Sequence, residues 1–181
     1  MFAQSRSRRV ELPHFEVERM DLERVVKDVK TEVLFAEIRS LLLQGRQVKM
    51  RVRGRSMRPM LEHHRDSVVL QRFADSSYRC GDIVLAYTFD GRWMLHRIIA
   101  CNDSDCWLQG DGNIGSQEQC KRTDILGKVV QFQRKSKLHS ATHWFWQLYA
   151  RIWIASVVCR RPLLFLYEGW HRVTNTLSLR K

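Results

Sequence analysis

At Gly45 the spacing of apolar residues changes from that of a helix to that of a strand. Upstream, Leu22, Val25, Val26, Val29, Val33, Leu34, Ile38, Leu41 and Leu42 recur at helical intervals between Asp21 and Gln44. The spacing predicts an amphipathic packing helix, and a glycine is a common place for one to stop. Downstream, Val48, Met50 and Val52 alternate with Lys49, Arg51 and Arg53, the pattern of a half-buried strand. A turn around Pro59 follows. Further short strands are expected at Val68 to Leu70, Ile83 to Tyr87, Arg92 to Ala100, Trp107 to Gln109 and Ile125 to Phe132. Gly81-Asp82, Asp90-Gly91 and Gly110-Asp111-Gly112-Asn113 punctuate them, and Asp-Gly is a strong signal for a two-residue hairpin loop. Short strands at this spacing indicate a mainly β, mostly antiparallel domain.

The 181 residues suit one domain with a helical extension. Three segments are expected: a leader and amphipathic helix over 1–46, a β domain over 47–133, and a basic linker with an aromatic helical tail over 134–181. The tail carries Trp144, Phe145, Trp146, Tyr149, Trp153, Phe165, Tyr167 and Trp170, interrupted by Arg151, Arg160, Arg161 and Pro162. It reads either as helices packed on the β domain or as an interfacial anchor on anionic lipid. Within 144–170 the longest uncharged run, Ile152 to Cys159, is too short to span a bilayer, and the chain has no window of 18 or more uncharged apolar residues. Residues 1–9 are polar and basic, without the apolar centre of a secretory signal.

The formal charge of +12 favours an anionic neighbour, nucleic acid or lipid headgroups. The basic residues are spread along the chain and no helix-turn-helix pattern occurs, which disfavours nucleic acid. The cysteines, Cys80, Cys101, Cys106, Cys120 and Cys159, are odd in number and lack zinc-ligand spacing. They read as free thiols of a reducing compartment, and no metal or organic cofactor is implied.

Three polar residues stand out in the β domain: Ser56 in a turn after a strand, His96 inside an apolar strand, and Asp111 in a glycine-flanked loop. A serine hydroxyl needs a base to become a nucleophile, and imidazole, whose ordinary pKa is near neutral, suits that task. A carboxylate can orient the imidazole. Any one of these residues alone would also fit a turn, a core position or a loop cap.

Their surroundings carry more. The stretch from Val52 to Leu61, with Asp66 and Val69 after it, resembles the serine box of the signal peptidase I superfamily. Gly81-Asp82-Ile83-Val84, Leu95-His96-Arg97-Ile98-Ile99, Gly110-Asp111-Gly112-Asn113 and Ile125-Leu126-Gly127-Lys128-Val129-Val130 resemble its later boxes, in the family's order. The forty residues from Ser56 to His96 fit the family's separation. The resemblance covers about residues 41–132. It implies a small, coiled, partly open antiparallel β-barrel of the LexA and signal peptidase type. It also implies a serine–histidine pair of the endoplasmic-reticulum and archaeal kind, where bacterial-type relatives use lysine.

Carried over residue by residue, Ser56 is the nucleophile, with its own N–H as an oxyanion donor. His96 is the base, and Asp111 is the orienting acid. The family's further aspartate falls at Gln117, next to Glu118, so Glu118 and Asp124 remain alternatives for the third role. Lys49 and Lys128 are the lysines weighed as bases. The chain is closest to the superfamily's short forms without an N-terminal membrane span. The expectation is therefore a serine endopeptidase that cuts a leader or signal-type segment after small residues. It would be cytoplasmic or peripheral at an anionic membrane surface. The rival is a non-catalytic LexA-like regulator, or a nucleic-acid- or peptide-binding module, that keeps the fold.

Overall fold

The computed structural model describes residues 19–156, 162 and 164–167. The chain divides into two compact units, 1–37 and 38–181. Helix α1 (Arg19–Leu43) begins in the first and ends in the second. In the second unit the strands are β1 (Val48–Arg51), β2 (Ser67–Gln71), β3 (Ile83–Tyr87), β4 (Trp93–Cys101), β5 (Asp105–Gln109), β6 (Glu118–Lys121), β7 (Ile125–Arg134) and β8 (Lys137–Ser140). Helix α2 (Trp144–Ala155) follows.

All strand pairs are antiparallel. The sheet runs β1-β2-β7-β3-β4-β5-β6, and β8 pairs with β7 outside that path. It curls into a half-barrel. Register shifts at Val69/Leu70, Leu85/Ala86 and Ile98/Ala100 interrupt three pairings. Such irregularities bend a strand and increase its twist, which favours curling over a flat sheet. Tyr78, Val84, Ala86, Ile98, Cys106, Leu108, Cys120 and Ile125 form a buried hydrophobic core cluster.

Two strands escape the apolar pattern. β6 reads Glu-Gln-Cys-Lys and buries only Cys120, so it has no alternation of hydrophobic residues to announce it. β8 lies in the stretch expected as a linker: residues 134–143 instead begin with a hairpin on β7, turned by Lys135 and Ser136 at positive φ. The Asp90-Gly91 hairpin is present, but its loop is longer than two residues. Tyr87 and Trp93 are the last paired residues, and Thr88 N–H donates to Arg92 O across the loop at 2.9 Å. Thr88 and Arg92 both bond the Asp90 carboxylate, giving the wider loop its own side-chain scaffold.

Ile38 and Leu42 are buried, whereas the neighbouring Leu43 is 61% exposed. Leu42 packs beside Gly127, where a built Cβ would come within 3.3 Å of its Cδ1. Leu42→Ala should therefore cost about 2–5 kcal/mol of stability, while Leu43→Ala should change it by less than about 0.5 kcal/mol. Urea unfolding of the two variants measures the difference.

Candidate active site

The segment between β1 and β2 carries Ser56. Val52 N–H donates to Asp66 O and His64 N–H to Val52 O, both at 2.9 Å, so the base of the loop is closed like a strand pair. Glu62 N–H donates to Asp66 Oδ2 at 2.8 Å, and Arg65 grips the same carboxylate through Nε and Nη2. Burial pushes the Asp66 carboxyl up, but Arg65 and the Glu62 N–H outweigh it, leaving the group below its ordinary 3.8. Met57, Met60 and Leu61 are buried and pin the turn from beneath. Ser56 is thus held at a half-buried position. No acceptor takes its backbone N–H among the described residues.

His96 is 1% exposed, on β4. Its Nε2 lies 2.9 Å from Ser56 Oγ, and its Nδ1 lies 2.9 Å from Glu118 Oε2 at the start of β6. Strand register explains the second contact. Leu108 of β5 pairs with Ile98 on one side and Glu118 on the other. Residues in register share a face, and His96 shares the face of Ile98 two positions away. Glu118 therefore reaches the imidazole diagonally across β5.

Asp111 does not reach His96; it meets Arg97. Arg97 follows His96 and so leaves β4 on the opposite face. Its Nε and Nη2 donate to Asp111 Oδ1 and Oδ2 at 2.8 and 2.7 Å, and its Nη1 donates to Gly81 O at 2.8 Å. Both side chains are buried, at 3% and 1% exposure. Burial disfavours the guanidinium, yet the Asp111 carboxylate overcomes this and raises its pKa. Asp124 belongs to a short 3-10 turn before β7 and has no bond to His96. Lys49 donates to Gln133, and Lys128 pairs with Asp82.

What Asp111 does is hold its loop against the serine. Gly112 N–H donates to Ser56 O at 2.7 Å. A Cβ at Gly110 would sit 2.4 Å from Ser56 O, a distance that backbone atoms do not tolerate, so only glycine allows this approach. From behind, Trp153 of α2 donates its indole N–H to Asp111 O at 3.1 Å, and the Tyr149 ring lies 5.8 Å from the Arg97 guanidinium carbon.

A cavity of about 160 Å³ opens beside Ser56, lined by Arg55, Arg58, Gly112, Asn113, Leu164 and Tyr167. Burial pushes the Cys106 and Cys120 thiols up to about 12, which keeps them protonated and poor nucleophiles. Among the described residues, no group of three or more His, Cys, Asp or Glu is arranged to hold a metal ion.

Neither protein-family models nor curated proteins give a match to this chain. The distinct surroundings of the two carboxylates still separate their roles. Asp111→Ala would strand the buried Arg97 charge and should cost about 3–5 kcal/mol of stability. Glu118→Gln keeps a hydrogen-bonding group of the same shape and should cost far less. Parallel chemical denaturation of the two variants checks the order.

Proposed function

We propose that this chain is a serine endopeptidase in which Ser56 is the nucleophile, His96 the general base and Glu118 the group that orients the imidazole. The observation that carries the reading is the continuous hydrogen-bonded chain from Ser56 Oγ through both ring nitrogens of His96 to Glu118. With a proton on Nδ1 donated to Glu118, Nε2 presents a lone pair to the serine hydroxyl. Oγ attacks the scissile carbonyl as its proton passes to Nε2. The Glu118 carboxylate stabilises the imidazolium so formed. The Ser56 N–H, free of an internal acceptor, suits the developing oxyanion. Collapse breaks the C–N bond, and the Nε2 proton leaves with the amine. Water then enters by the same base and hydrolyses the acyl-enzyme. Asp111, Arg97 and Gly110 position this machinery without touching the reacting atoms.

The resemblance to the signal peptidase I superfamily adds the substrate class, an extended leader or signal-type segment. A strand-like substrate is also what a sheet with an open edge beside its nucleophile would receive. Ser56→Ala and His96→Ala should each lower kcat/KM by about a thousandfold or more, and Glu118→Gln by about a hundredfold or more. All three should keep the wild-type fold by circular dichroism. Mass spectrometry of peptide-library digests reads the rates, and a fluorophosphonate probe reads Ser56 directly. An unlabelled Ser56 together with undiminished cleavage by Ser56→Ala would rule the assignment out.

A peripheral membrane position is supported by α2. Its Ala150 and Trp153 face inward, while Trp144, Phe145, Leu148 and Ile152 are 45–68% exposed. The sequence places two apolar stripes along this segment, one through Leu148, Ile152 and Ala155 and a broader one through Trp146, Tyr149 and Trp153, and the first is therefore the outward one. Cys159 and Val157, which would extend the stripes, lie outside the described residues, as do Arg160, Arg161 and Trp170. No helix among the described residues is long and apolar enough to cross a membrane. An exposed apolar stripe beside Arg151 fits the interface of anionic lipid. The full chain should co-sediment with phosphatidylglycerol vesicles, and Phe145→Glu with Ile152→Glu should leave it in the supernatant. Equal sedimentation of both forms would overturn the membrane reading.

A further inference from the structure

The approach to Ser56 is strongly cationic, and its positive charges divide into two groups. Arg58 pairs with Glu62 and Arg65 with Asp66, and both carboxylates are buried. Glu62 is further engaged by the Tyr167 hydroxyl, 3.0 Å from Oε2. Arg51, Arg53 and Arg55 are different: all three are exposed and none has an acidic partner among the described residues. They alternate along the chain that leads from β1 into the serine turn.

β1 is also the end of the sheet path. Among the described residues it is hydrogen-bonded to β2 alone, and none of them pairs with its outer backbone groups. Arg55 and Arg58 then line the cavity beside Ser56, and among the described residues no carboxylate lines it with them. Leu164 and Tyr167 supply apolar walls beside Arg55, whose charge, unlike that of Arg58, has no carboxylate partner among the described residues.

We infer that the cleft selects an acidic peptide: an extended segment that adds to the β1 edge with Glu or Asp at alternate positions, one carboxylate seated at Arg55 beside Ser56. This rests on the peptidase reading and narrows its substrate. Alternate residues of an extended chain are spaced about 6.6–6.8 Å apart, the repeat of Lys49 and Arg51 on β1; Arg55 follows past Gly54, where a φ of 91° turns the chain beside the cavity at Ser56. A guanidinium takes a carboxylate in a two-pronged contact, which a lone backbone carbonyl or a small apolar side chain cannot use. Nucleic acid would also seek positive charge. The free strand edge, however, offers main-chain hydrogen bonds in line with the arginines, and these suit a peptide backbone.

Binding can be measured apart from hydrolysis by fluorescence anisotropy on the full-length Ser56→Ala chain. The probes are three labelled peptides, identical except for Glu, Gln or Lys at alternate positions. The Glu peptide should bind about tenfold or more tighter than the Gln peptide, with the gap shrinking as salt is raised. Arg55→Glu should abolish that preference, and Arg55→Gln should reduce it. Because Arg55 is exposed, neither change threatens the fold. Equal affinity for the Glu and Gln peptides would overturn the inference, as would a preference that survives Arg55→Glu. A single-stranded oligonucleotide of matched charge that displaces the Glu peptide at lower concentration would overturn it in favour of nucleic acid. If wild-type chain binds the Glu peptide with this preference but leaves it uncut, the acidic selectivity stands and the peptidase reading falls.

Discussion

A buried ion pair sets the position of almost everything near the serine. Arg97 and Asp111 meet in a bidentate contact with little solvent on either side. Removing two charges from water is expensive, and an arrangement of this kind persists only when the remaining donors are also satisfied. Here most of them are: Gly81 O takes one Nη1 proton and the Met60 sulfur one Nη2 proton, and Trp153 bonds the Asp111 carbonyl. The geometric consequence is more telling than the net energy. Once Asp111 is fixed, Gly110 and Gly112 lie against the Ser56 backbone, and the serine turn has little freedom left.

The curl of the sheet supplies the rest. Ser56 follows β1, at one end of the strand path, and Glu118 opens β6, at the other; His96 lies on β4 between them. In a flat sheet of this order the two ends would be separated by five strands at about 4.8 Å per step, far beyond a hydrogen bond. Bending the sheet on itself brings the β1 end, and with it the serine loop, to one nitrogen of the imidazole, while Glu118 meets the other across β5. A site assembled in this way depends on global folding, whereas the clamp on Asp66 and the Arg58–Glu62 pair are local to the serine loop.

Helix α2 joins the site to the surface. Its inward aromatic residues, Tyr149 and Trp153, stack on each other and back the Arg97–Asp111 pair. Trp146 packs edge-on against Phe132 of β7. The sequence shows an aromatic segment with two candidate apolar stripes and offers packing and anchoring as rival explanations. In the structure one face of the helix packs on the sheet and the other is exposed.

Strong local signals made much of this readable from the residues alone. Alternating apolar positions marked β1, and short apolar runs marked β2, β3, β4, β5 and β7, with glycine beside β3, β4 and β5. The serine turn and the strand histidine were recognisable by their neighbours. β6 and β8 were not readable, because their polar residues pair through backbone groups that any sequence possesses. The choice of carboxylate was not readable either. Asp111 and Glu118 are both acidic residues downstream of adjacent residues on one strand, and chain distance does not separate them. Strand alternation sends His96 and Arg97 to opposite faces, and the register of β4, β5 and β6 sets Glu118 on the histidine's side. The sequence by itself singled out Ser56 and His96 as candidates and marked most of the strands that hold the candidate site. Only the tertiary structure decided which acid meets the imidazole and which stabilises the arginine, because that depends on register between strands distant in the chain.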